Sequence, residues 1–145
     1  MNNSISDRTK FYTSLYDSDE FISELGKMTL EMGRLEAELK AFLRKAGIRT
    51  NLDRDTLGLL IAKLANCELI NSQDICRFND LRKQRNFLTH NLYAMLSNQV
   101  DERSTSAVER LQDDVESYVA HVLTLRRSIR ELMDMLYQKE QKLAL

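Results

Sequence analysis

The sequence contains no proline and no tryptophan, and only four glycines in 145 residues. Little therefore punctuates long helices, and a sheet protein with its many turns is disfavoured. Cysteine is scarce as well. Cys67 and Cys76 form neither a CxxC pair nor a disulfide framework, so reduced thiols are the simpler reading. Neither sign of charge dominates. The formal net charge is −1, which argues against a global field for nucleic acid and leaves only local contacts. No uncharged apolar run approaches the roughly 18 residues of a membrane span. Met1-Asn2-Asn3-Ser4 does not begin a basic segment followed by an apolar run, so no signal peptide is expected. A cytoplasmic protein with no membrane partner is the expectation.

What is present is amphipathic helix. Hydrophobic residues make up 43% of the chain, enough for a core. The length suits a single domain over residues 1–145, with residues 1–17 a frayed terminus or a short leading helix. From Ser18, a plausible N-cap, a long helix carries Phe21, Leu25, Met28, Met32, Leu35, Leu39 and Phe42 at alternating spacings of four and three. Its polar face is read as Glu24, Glu31, Glu38 and Lys45, opposite that stripe, and Gly47 is a natural stop.

A connector over 48–55 leads to a second helix at 56–66, capped by Asp53 or Asp55, with Leu57, Leu60, Ile61 and Leu64 inward. After a break at 68–71, Ser72 caps a third helix that is expected to run to Leu96. A polar stretch from Ser97 to Ser106 follows. The last helix, from about Ser106 to Gln141, repeats Val108, Val115, Val122, Ile129 and Leu136, interleaved with Leu111, Tyr118, Leu125 and Leu132. Such a stripe suits a long core helix or a two-stranded coiled-coil seam. The expected fold is an all-α bundle of four or five helices, with its two long helices antiparallel.

The third helix holds the chemistry. Its apolar register reads Phe78, Leu81, Arg85, Leu88, Leu92 and Met95, so an arginine occupies a slot where the pattern asks for leucine. The bland reading is a snorkelling stem with its guanidinium in water. The functional reading is a guanidinium held for an anion, which it can grip through two parallel hydrogen bonds. Asn86 and His90 share a polar stripe four residues apart, so the asparagine could orient the imidazole. Histidine suits general acid–base work near neutral pH. On a straight helix Arg85 and His90 point about 140° apart and sit roughly 7.5 Å apart along the axis. They meet only through side-chain length, bending or a two-fold dimer axis. Arg77, Arg82 and Lys83 could track an RNA backbone, or simply form a solvated face. Cys67, Cys76, His90 and His121 match no standard zinc spacing. His121 is read as structural, and the methionines Met28, Met32, Met133 and Met135 as core filler.

An Arg-x4-His element on a late helix of a small all-α domain, Arg85-Asn86-Phe87-Leu88-Thr89-His90 behind Thr56–Leu64, resembles the HEPN superfamily. That resemblance covers residues 18–140 by architecture, and mainly 56–93 by residue identity. It implies a metal-independent endoribonuclease, without cofactor or metal, whose site is often composite at a homodimer interface. His90 would handle the proton of the ribose 2′-hydroxyl or of the leaving oxygen. Arg85 would stabilise the developing phosphorane, and Asn86 would orient His90 or contact RNA. Beside the motif, Arg77, Arg82, Lys83 and Tyr93 are the candidate RNA contacts. Many members are toxins held by an antitoxin partner. In one branch a tyrosine stands two residues after the histidine; here that position is Leu92, and Tyr93 follows one place later. The rival reading is a non-catalytic helical adaptor or transcriptional regulator acting through its apolar stripes.

Overall fold

In the computed structural model, residues 3–51, 54–90 and 107–143 are described, and side chains over 9–51, 54–88 and 115–143. Among these residues there are five helices and no strand: α1 (Asn3–Asp17), α2 (Asp19–Lys45), α3 (Leu57–Asn66), α4 (Ser72–His90) and α5 (Ala107–Leu143). The all-α bundle is therefore what the chain builds.

Local chemistry sets the helix ends. Ser18 leaves helical geometry at φ −83°, ψ 101°, and its hydroxyl accepts a hydrogen bond from the Phe21 amide. It thus caps α2 one residue after α1 stops. Asp19 and Glu20 follow at the positive end of the helix dipole. At the other end, Gly47 adopts φ 82°, where a Cβ would be strained. Its amide donates to the Arg44 carbonyl, and that of Ile48 donates to Leu43. This pair of bonds closes the helix in a Schellman motif, with Ile48 packed on the core.

Two expected caps move by one residue. Thr56, not Asp53 or Asp55, caps α3 by accepting from the Leu59 amide. Asp55 instead accepts from the Asn51 amide and from Nζ of Lys63, in the last turn of α3, at 2.7 Å. Asn71, not Ser72, caps α4 by accepting from the Asp74 amide at 2.8 Å. Residues 91–106, and with them the expected helix end at Leu96 and the polar run from Ser97, lie outside the described residues.

The core is one cluster drawn from every helix. Met28, Leu35, Leu39 and Leu43 of α2 are buried to 0% exposure, as are Leu60 and Leu64 of α3, Phe78 of α4, and Val122, Leu125, Ile129 and Leu132 of α5. Helix α1 adds Phe11 and Leu15 to that core, and Phe11 meets Tyr118 of α5. Each fully buried side chain of this kind removes apolar area worth about 1.5–3 kcal/mol from water.

The two long helices are parallel, not antiparallel. Glu31 pairs with Arg126 and Lys45 with Glu140, partners that stand two heptads apart on both helices and advance in the same sense. Glu24, Glu31 and Lys45 therefore flank the α2–α5 seam and do not lie opposite it. Charges at heptad spacing beside an apolar stripe are what a parallel helix pair uses at its margins.

Candidate anion-binding site on α4

Helix α4 packs on α3 and α5, and Arg85 reaches α2 through the length of its side chain. Its Nη1 lies 3.2 Å from Glu36 Oε1, and its Nη2 lies 3.2 Å from Asn86 Oδ1. The apolar register is kept on either side, since Phe78, Leu81 and Leu88 are buried. Arg85 thus follows the leucine stripe with its stem and turns its head to a carboxylate on α2. Its side chain is 30% exposed and that of Glu36 29%, so the pair is half-buried and reachable from solvent.

His90 stands on α4 at the last described position before residue 91, five positions after Arg85. Its side chain lies outside those described, as do Leu92, Met95 and Tyr93. Arg85 and Asn86 are brought together directly.

The expected RNA-tracking cations have different surroundings. Arg82 lies across the first turn of α3, where a Cβ on Gly58 would touch its Cδ at 3.6 Å. Its Nε is buried with no hydrogen-bond partner among the described residues. Lys83 is exposed. Arg77 is turned to α5, with Nη2 2.7 Å from Glu131, and to Asp74 one turn earlier. It serves to dock α4 on α5, so its charge is already matched by two carboxylates. His121 is exposed on α5 and is not a core residue. Cys67 is half-buried with its Sγ 3.0 Å from the Leu64 carbonyl, and Cys76 is exposed. Among the described residues no three His, Cys, Asp or Glu side chains converge as a metal site would require. No helix there is long and apolar enough to cross a membrane.

Glu36 is the residue that sequence reasoning missed. Its signal was the arginine in the apolar register: a cation so placed needs an acidic neighbour on a facing helix. Which acid supplies it depends on a contact 49 positions apart. A second charged cluster lies on another side of α2. Arg126 bonds both Glu24 and Glu31, and Arg130 also approaches Glu31. Burial pushes the Glu31 carboxyl up, but the hydrogen bonds and charge of Arg126, with Arg130, outweigh it and hold the group below its ordinary 4.5. The same carboxylates raise the Arg126 guanidinium. Nearby, a cavity of about 380 Å³ opens between α2 and α5, walled by Glu31, Arg34, Glu38, Arg130, Asp134 and Tyr137. None of the α4 site residues lines it. No protein-family model, curated protein or solved structure matches this chain.

Proposed function

We propose that the chain is a metal-independent endoribonuclease of the HEPN type. The observation that most supports this reading is Arg85. A cation interrupts the leucine register of α4, is oriented by Glu36 and Asn86, and stays open to solvent on the helix that bears His90. An arginine so held can receive a phosphate without first having to be ordered, which lowers the cost of stabilising the charge that develops there. In this reading His90 removes the proton from the ribose 2′-hydroxyl. The 2′-oxygen attacks phosphorus, and the 5′-oxygen leaves and takes up a proton. The products are a 2′,3′-cyclic phosphate end and a 5′-hydroxyl end. Arg85 stabilises the phosphorane, Asn86 steadies the site, and Arg82, Lys83 and Tyr93 contact the strand. A homodimer would set two copies of the motif in one groove. We extend the proposal to a cytoplasmic toxin of a toxin–antitoxin or defence system, with an antitoxin protein as its partner.

The test is cleavage of a mixed RNA pool by purified protein in excess EDTA, with His90→Ala and Arg85→Ala beside the wild type. Cleavage by the wild type alone is expected. Undiminished cleavage by His90→Ala overturns the catalytic assignment. A second reading, a non-catalytic adaptor or regulator, is favoured by one observation: Leu30 is 77% exposed on the outer side of α2, where a partner helix could cover it. That reading expects no cleavage by any form of the protein.

A further inference from the structure

Glu36 and Asn86, both bonded to Arg85, are acceptors of different kinds. Asn86 is neutral and can only orient the guanidinium. Glu36 is an acid, 3.2 Å away, on a different helix. Because both members of the ion pair are about one-third exposed, opening it costs little. The carboxylate charge nevertheless stays on α2, within reach of whatever anion Arg85 takes instead.

We infer that Glu36 is a positioning residue that limits the affinity of the Arg85 site for RNA phosphate. It orients and neutralises the guanidinium in the resting protein, and an incoming phosphodiester must compete with it. The inference rests on the ribonuclease reading and deepens it. A cleaved strand ends in a cyclic phosphate with the same single negative charge as the phosphodiester it came from. An unopposed arginine would hold product as firmly as substrate. A resident carboxylate takes the guanidinium back once the strand leaves, and so favours release.

The consequence runs against what a purely structural ion pair predicts. Replacing Glu36 by glutamine keeps the size and an acceptor for Arg85, and removes one negative charge. The probe is a fluorescein-labelled single-stranded 2′-O-methyl oligoribonucleotide, which lacks the attacking hydroxyl and cannot be cut. Its binding is followed by anisotropy across a salt series for the wild type, Glu36→Gln, Glu36→Ala and Glu38→Gln. Glu38 lies on the same helix but faces the cavity beside α5. It controls for a general change in net charge.

Glu36→Gln should bind roughly three- to tenfold more tightly at low salt, the effect of one unit charge about 6 Å away in a largely aqueous setting. Its salt dependence should steepen by about 0.7, as for one further phosphate contact on a single strand. Glu36→Ala should move in the same direction, so the result does not hang on one variant's folding. Glu38→Gln should stay near the wild type. Affinity equal to or below wild type in both Glu36 variants, or a gain matched by Glu38→Gln, overturns the inference and leaves the ribonuclease proposal standing. No binding by any form overturns the RNA reading itself.

Discussion

Arg126 grips Glu31 along one edge of its guanidinium. Nε lies 3.1 Å from Oε1 and 3.2 Å from Oε2, Nη2 lies 2.8 Å from Oε1, and the remaining Nη1 bonds Glu24. One α5 side chain, 13% exposed, thus ties two α2 carboxylates together across the parallel seam. Removing it takes from Glu24 and Glu31 their nearest cation and leaves Lys27 at 3.6 Å and Arg130 at 3.5 Å beside them. Arg126→Ala should cost about 2 kcal/mol, less than a fully buried pair because both acids keep some exposure. A urea titration followed by helical circular dichroism measures it. A midpoint unchanged from wild type would mean that the cluster contributes nothing.

The same cluster sets an acid limit. Glu31 has a lowered pKa in the folded chain, so its contribution is fully present above its ordinary 4.5 and is lost as pH falls through the lower folded value. Glu31→Gln should therefore be less stable than wild type at neutral pH, and the two should converge as the medium is acidified below 4.5. Asp55 is also lowered, by its bonds to Lys63 and to the Asn51 amide, so Glu31→Gln keeps part of the acid sensitivity. Urea midpoints across that pH range test the convergence. Curves that run parallel throughout would contradict it.

The apolar stripes made much of this fold readable. Spacings of three and four between Phe21 and Phe42 placed one face of α2 in the core, and only Leu25 of that set is partly open. Leu57, Leu60, Ile61 and Leu64 were legible in the same way. Helix direction was not, because a heptad stripe looks the same whichever way its partner runs. The charges at 24, 31 and 45 carried that information, but only relative to Arg126 and Glu140, almost a hundred residues away. Leading helix α1 was obscured by the polar residues around Phe11 and Leu15, two side chains too few to declare a period. At the site, Arg85 announced itself by breaking a pattern. Its partner Glu36 follows no pattern of its own and becomes visible only when α2 and α4 are assembled.

Ser18 is the one residue between two helices that both pack on α5. Its hydroxyl caps α2, and its amide donates to the Leu15 carbonyl at 3.2 Å. Ser18→Ala removes the cap and favours a continuous helix, which would draw Phe11 and Leu15 off the core. The loss should be about 1 kcal/mol from the cap alone. Ser18→Asp, which restores a capping oxygen, should recover it. Thermal melts of the three proteins decide, and equal melting temperatures would show that packing on α5, not the cap, fixes the bend.

Arg85→Leu separates scaffold from site most directly. Leucine completes the α4 register between Leu81 and Leu88, and Glu36, already 29% exposed, can turn its carboxylate to water. The gain in apolar burial and the loss of a half-exposed ion pair nearly offset, so stability should change by no more than about 1 kcal/mol. RNA cleavage in EDTA should nevertheless be lost, because leucine offers no charge to a phosphorane. The measurement is a urea midpoint taken on the same preparation as the cleavage assay. Lost cleavage in a protein as stable as wild type assigns Arg85 to chemistry. Retained cleavage in a more stable protein would make Arg85 a tolerated irregularity of the core and remove the support that the ribonuclease proposal draws from it.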